Sequence, residues 1–281
     1  MVNTNYNGFF KNKRAAISGG ATGIGYAIAE MLALEGANTC LISRNEENLI
    51  KAVNKIKAKG GQADYRVSDI LDVGHIEKII AEIKPDIFVN NAGDFKEHGL
   101  NSSFEEIQKM GQLIFHAPYR IAKDTAEKYN NIDIVTTLSH AAYSPMPGNM
   151  SYVPFKAGLM YGLFQIEVEL QEEKKKTGID RNVRLFRVYP GPVNVGNYME
   201  LYKKDTAGKF GPPTTAESVA TAVLDLLSGK APTRDVYVAY VPGEGIVNAY
   251  FKTKFDPTHL EPYVLSLHSK KIVDPNYKVE K

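Results

Sequence analysis

Arg14-Ala15-Ala16-Ile17-Ser18-Gly19-Gly20-Ala21-Thr22-Gly23-Ile24-Gly25 starts as an apolar run of strand length and breaks into a glycine-rich turn. Residues 26–35 follow, with apolar side chains at helical spacing. The reading is strand, glycine-rich turn, helix, and outward from it the alternation repeats. Strands are predicted at 38–43, near 63–67, and at 86–89, 132–138, 183–188 and 236–241. Helices are predicted at 46–59, near 73–83, and at roughly 112–129, 151–176 and 216–227. Parallel neighbours need a long crossover, usually a helix. The pattern therefore predicts an α/β, doubly wound parallel sheet of about seven strands with helices on both faces. No composition shift precedes about Pro242, so residues 1–241 are expected to form one domain with a substrate loop at 193–213. Residues 242–281 are then a C-terminal extension packing on the domain or a neighbouring subunit.

Composition narrows the function classes. Hydrophobic residues at 43% and charged residues at 23% are ordinary for a globular chain, and a net charge of +2 gives no electrostatic argument for nucleic acid or a membrane surface. A single cysteine, Cys40, excludes an internal disulfide framework and fits a reducing compartment. It falls in a predicted strand and reads as a core residue. The polar start of the chain has no apolar stretch resembling a secretory signal, and no apolar run is long enough to span a bilayer. The expectation is a cytoplasmic protein. The histidines and the cysteine show no ligand spacing, so no metal is expected.

A glycine-rich turn ahead of a helix lets backbone N–H groups and the positive helix end approach a pyrophosphate without side-chain obstruction. Gly19, Gly23 and Gly25 are spaced G-x-x-x-G-x-G, unlike the G-x-G-x-x-G of the general dinucleotide fingerprint. About twenty residues past Gly23, where an acidic side chain would hold the ribose 2′-hydroxyl of NAD, stand Ser43 and Arg44. A carboxylate there repels a 2′-phosphate, whereas arginine pairs with it. NADP is therefore favoured over NAD. The plainer alternative is a tight connection with no ligand and a solvated arginine.

Tyr152 and Lys156 stand four residues apart in a predicted helix, which places a phenol and an ammonium one turn apart on one face. A nearby positive charge favours the phenolate and makes the tyrosine a general acid/base, and Ser139 can hold a substrate oxygen against it. That chemistry suits interconversion of a carbonyl and an alcohol. In a chain with sixteen tyrosines the spacing also arises by chance.

In order along the chain come Ser18-Gly19-Gly20-Ala21-Thr22-Gly23-Ile24-Gly25, then Asn90-Asn91-Ala92-Gly93, then Ser139 with Tyr152 and Lys156. With these motifs the chain resembles the short-chain dehydrogenase/reductase family over roughly residues 10–241. The resemblance implies a Rossmann-type fold and hydride transfer at a nicotinamide, with Tyr152 as acid/base. Ser139 would orient the substrate, and Lys156 would lower the tyrosine pKa and bond the nicotinamide ribose. It further implies cofactor contacts from Gly19, Thr22, Gly23, Ile24, Gly25, Asp69, Asn90, Ala92, Gly93, Pro190, Gly191 and Val193, and assembly as a homodimer or homotetramer.

Three positions depart from the family pattern. Ile114 stands where many members carry a helix asparagine, with Gln112 and His116 as neighbours. Val195 replaces a threonine after Pro190-Gly191, and Phe155 stands where a small residue usually precedes the lysine. Two functions follow. The first is an NADP-preferring oxidoreductase acting on a small carbonyl or alcohol substrate. The alternative is a non-catalytic NADP-binding regulatory or scaffold protein on the same fold.

Substrate residues are expected in the loops 94–98, 140–150 and 193–213. The last of these reads as a lid carrying Tyr198, Met199, Leu201 and Tyr202 beside Lys203 and Lys204. The extension, with Tyr250, Phe251, Phe255, Tyr263, Leu265 and Leu267, holds too many apolar groups for a wholly disordered tail.

Overall fold

A computed structural model describes residues 6–143, 145, 147–196, 198–204, 212–231, 233–241, 245–254 and 263–270. From 240 onward the backbone alone is described, Asn248 excepted, and the same holds for Leu201. The apolar residues expected to anchor the extension, and Phe255 with the final residues 271–281, lie outside the described side chains, as do lid residues 205–211.

The strands are β1 (Arg14–Ser18), β2 (Asn38–Ser43), β3 (Gln62–Val67), β4 (Ile87–Asn90), β5 (Asn131–Thr137), β6 (Asn182–Pro190), β7 (Asp235–Val241), β8 (Gly245–Lys254) and β9 (Tyr263–Lys270). Seven parallel strands run in the order β3-β2-β1-β4-β5-β6-β7, and β8 and β9 continue the same sheet antiparallel from β7. The helices are α1 (Gly23–Leu34), α2 (Glu46–Ala58), α3 (Val73–Ile83), α4 (Phe104–Gly111), α5 (Ala117–Lys128), α6 (Tyr152–Thr177), α7 (Tyr198–Lys204) and α8 (Ala216–Leu227).

Strand side chains alternate between faces, so each buried strand feeds two cores. Ile17, Leu41, Val89, Val135 and Val188 enter one core with Ile28 and Leu32 of α1 and Val219 and Val223 of α8. Ala16, Ile42, Phe88, Ile134 and Leu185 enter the other with Ile76 and Ile80 of α3, Ile121 of α5 and Leu163 of α6. Residues near the start of the chain join the first core: Phe10 is fully buried, and the Tyr6 hydroxyl donates to Asp225 Oδ1 of α8 at 3.2 Å. Each such large side chain contributes about 1.5–3 kcal/mol by leaving water.

The sheet order reverses between β1 and β4. Crossovers from these neighbouring strands leave in opposite directions, which opens a crevice beyond their carboxyl ends. Both glycine-containing motifs lie there, on the turns after β1 and β4.

The predicted helix over 112–129 is α5 preceded by two further pieces. Residues 112–116 form a π-helical turn, and α4 precedes it, begun by a capping box in which Ser103 and Glu106 satisfy each other's backbone N–H groups.

A buried charge cluster ties the far edge of the parallel sheet to α6. Arg187 is bidentate to Asp235 at 2.7 and 2.9 Å and meets Glu167 at 2.7 Å. Its guanidinium lies 4.1 Å from the Phe164 ring centre.

Candidate active site

The Ser18 hydroxyl binds the two motif turns together. It donates to Val89 O at 3.2 Å and accepts from the Asn91 and Ala92 amides at 3.0 and 3.1 Å. Gly19 and Gly23 hold positive φ, 66° and 57°, where glycine is the natural occupant. A Cβ on Gly25 would stand 2.2 Å from the Gly19 carbonyl oxygen, so only glycine fits there. α1 begins at this turn with no side-chain cap on its first amides and no acidic residue in its first turn. Open backbone donors at a positive helix end, reached over bare glycines, fit a pyrophosphate.

The residues expected to hold the adenosine half lie along β2 to β4. Ser43 ends β2, and the exposed Arg44 sits 3.7 Å from the Asp69 carboxylate. Asn90 is turned inward: its amide donates to Pro118 O at 2.8 Å, while its Oδ1 has no protein partner. Ala92 and Gly93 continue the turn. Ile24 packs on the core beside the glycine turn.

On the other side Gly191 donates to Val238 O at 2.7 Å. The Val193 carbonyl accepts from the Val195 amide at 2.8 Å, and Val193 bridges to Thr214. Val195 reaches back across the crevice, its Cγ1 3.4 Å from where a Gly23 Cβ would be. It closes the glycine turn by apolar contact.

Ser139, Tyr152 and Lys156 come together at the carboxyl end of β5. Ser139 is 7% exposed; its Oγ accepts from the Ala141 amide at 3.2 Å, and its side chain is near enough to the Tyr152 phenol to oppose the rise of the phenol's pKa. Lys156, also 7% exposed, donates from Nζ to Thr137 O at 3.0 Å and lies 5.7 Å from the Tyr152 ring centre.

Burial dominates the protonation of both groups. It pushes the Tyr152 phenol up against the lowering influence of Ser139, with the Asp94 carboxylate adding to the rise. It pulls the Lys156 ammonium down to about 8. Lys156 Nζ is directed at a backbone carbonyl, and the influences on the Tyr152 phenol are its burial, Ser139 and Asp94.

The three departures find their places. Ile114 is buried in the π-helical turn with its Cγ2 3.9 Å from a Cβ built on Gly93, while Gln112 and His116 are exposed. The observed partner of Lys156 is Thr137 O. Phe155 lies against Gly111, Phe115 against Gly158 and Tyr119 against Gly162. The aromatic rings of one helical segment thus fill the glycine notches of another.

Over the phenol, Phe95 packs edge-on at 5.1 Å from the Tyr152 ring centre. Of the expected lid, Tyr198–Lys204 is helical, and Tyr202 is buried. A hollow of about 470 Å³ bounded by Arg14, Lys84, Asp86 and Lys128 lies at the opposite, amino-terminal ends of the strands. It is remote from every motif residue. Among the described residues no three His, Cys, Asp or Glu side chains gather as a metal site would require, and no helix is long and apolar enough to cross a membrane.

The model of the family described as short chain dehydrogenase matches residues 13–206, more than half of the chain. The protein belongs to the short-chain dehydrogenase family. This family comprises oxidoreductases that bind nicotinamide cofactors.

One similar family member is the 2,3-dihydro-2,3-dihydroxybenzoate dehydrogenase of Bacillus subtilis (strain 168). It is 29% identical over 79% of this chain and 91% of its own. Another is the 3-oxoacyl-(acyl-carrier-protein) reductase of Thermotoga maritima, 27% identical over 84% of this chain and 96% of its own. Among solved short-chain dehydrogenase folds, the L-sorbose reductase of Gluconobacter frateurii, complexed with NADPH and L-sorbose, superposes with a TM-score of 0.64. It is 24% identical and covers 77% of this chain and 89% of that one.

Proposed function

We propose that this short-chain dehydrogenase transfers hydride reversibly between NADP(H) and a small carbonyl or alcohol substrate, with Tyr152 as general acid/base. The observation that carries the reading is that Ser139, Tyr152 and the buried Lys156 are gathered at the carboxyl end of β5, with Lys156 5.7 Å from the Tyr152 ring centre. A substrate oxygen placed between the two hydroxyls receives a hydrogen bond from each. A phenol raised by burial is protonated at neutral pH and suited to donating its proton to the oxygen of a carbonyl being reduced. Lys156, held by Thr137, keeps a donor beneath the phenol.

The nicotinamide cofactor supplies or accepts the hydride. Residues of the β1 turn, Gly19, Thr22, Gly23, Ile24 and Gly25, would hold its pyrophosphate. Ser43, Arg44 and Asp69 would meet the adenosine end, with Asn90, Ala92 and Gly93 beside it. Pro190, Gly191 and Val193 would flank the nicotinamide, with Tyr152 and Lys156 at its ribose. Arg44 supports NADP over NAD, as does the NADPH bound by the L-sorbose reductase of the same fold.

The test is NADPH oxidation against ketones, aldehydes and 3-oxoacyl thioesters, comparing the native protein with Tyr152→Phe at matched NADPH binding. Turnover lost in the variant is the expected result. Equal residual turnover in both would remove Tyr152 from the mechanism. NADPH binding with no turnover on any class would favour the regulatory reading, for which Ile114 and Val195 are the specific observations.

A further inference from the structure

The loop after β4 is fastened to the segment that starts α6. His98 N donates to Gly148 O and Met150 N donates to His98 O, each at 2.9 Å, so that His98 and Asn149 form a parallel bridge. Between these backbone bonds His98 Nδ1 stands 2.6 Å from Ser151 Oγ. His98 is 3% exposed and Ser151 is fully buried.

Ser151 is the residue before Tyr152 and occupies the N-cap of α6. A serine there ordinarily turns its hydroxyl onto the helix's own first amides. Ser151 makes no such cap; its hydroxyl is taken by an imidazole 53 positions earlier in the chain. The direction in which α6 begins, and with it the place of the phenol one residue on, is therefore set by the loop after β4. Phe95 of that loop also contacts the Tyr152 ring.

The pair is hard to replace because it is buried. Removing either partner strands the other polar group away from water. The second ring nitrogen, Nε2, is buried with no protein partner, so Nδ1 carries the side-chain bond. An asparagine side chain can reproduce the hydrogen-bonding position of Nδ1 while omitting Nε2.

We propose that His98 is a positioning residue for Tyr152, acting through Ser151 to fix the first turn of α6. This rests on the reading of Tyr152 as the acid/base. Misplacing a reacting group by about an ångström can cost a rate on the order of a hundredfold, and loosening one helix turn is expected to cost about tenfold.

The experiment combines amide hydrogen exchange of residues 148–156 with NADPH oxidation, in the full chain, for His98→Phe, Ser151→Ala and His98→Asn. Exchange at 148–156 is expected to quicken about tenfold in His98→Phe and Ser151→Ala, with β1 and β2 unchanged as the control for folding. The same two variants are expected to lose about tenfold in kcat at constant KM, and His98→Asn is expected to restore both readouts. Native exchange at 148–156 in His98→Phe and Ser151→Ala, or failure of His98→Asn to restore it, overturns the proposal. Should the native protein reduce none of the substrates, the functional reading fails, while the exchange data still decide for or against His98.

Discussion

The Phe155 ring occupies the space that a side chain on Gly111 would need, its Cζ lying 2.5 Å from the position of a Gly111 Cβ. Gly111 ends α4 immediately before the π-helical turn, and Phe155 is in the first turn of α6 beside Lys156. The contact thus links the helix departure that carries Ile114 to the helix that carries the candidate acid/base.

Gly111→Ala is accordingly expected to destabilise the protein by about 1–3 kcal/mol, although alanine is the better helix former. Phe155→Leu in the same chain should recover most of that loss, because the shorter side chain vacates the contact. Chemical denaturation of the two single variants and the double variant measures the coupling. Additive effects would show that the ring moves aside freely.

Arg44 has one weak partner, the Asp69 carboxylate at 3.7 Å, and is otherwise exposed at the end of β2. Arg44→Ala is expected to weaken NADPH binding by about tenfold or more, the range of a charge-assisted hydrogen bond, and to leave NADH binding unchanged. Fluorescence titration with both cofactors checks this. An equal loss for both would place Arg44 away from the 2′-phosphate.

Lys156 ties the protonation of the site to stability. Burial lowers its pKa from 10.5 to about 8. Between those values the unfolded chain binds the proton and the folded chain does not, so this group's contribution to stability rises with pH across the window, by about 1.4 kcal/mol per unit. Below about 8 the buried charge costs its full amount. In the absence of cofactor, Lys156→Met is therefore expected to be most favoured over the native protein near neutral pH, with the difference shrinking by on the order of 2–3 kcal/mol toward pH 10. Parallel stability profiles for the two proteins would show that Lys156 stays charged in the fold.

With Tyr152 as the proposed acid/base, its phenol would set the pH dependence of the two reaction directions. Its raised phenol is protonated at neutrality, the form needed to reduce a carbonyl, whereas oxidation of an alcohol needs the phenolate. Reduction is expected to be flat from about pH 6 to about pH 9, and oxidation to climb over the same interval. An oxidation rate that levels off near neutral pH would mean that bound cofactor and substrate return the phenol to a lower pKa.

The strand-turn-helix at residues 14–35 was legible because hydrophobic periodicity and glycine placement are local properties. For the same reason the predicted bounds of β2, α3 and α8 coincide with the structure. α4 carries a local sequence signal too, the Ser103 and Glu106 capping box. The π-helical turn carried none, because an extra residue in a helix answers to what the helix packs against. Its packing is against Gly93 and α6.

Sequence by itself determined the doubly wound sheet, the glycine turn, the identity of Ser139, Tyr152 and Lys156, and membership of a nicotinamide-dependent family. Spacing and residue type carry those through local conformational preference. Tertiary structure alone decided that Ser18 laces the two turns together, that Thr137 receives the Lys156 ammonium, and that His98 takes the Ser151 hydroxyl. It also decided that the phenol is buried, which raises its pKa. These are long-range contacts and desolvation effects, set by which surfaces meet and how much water is lost between them, and no local pattern in the chain encodes them.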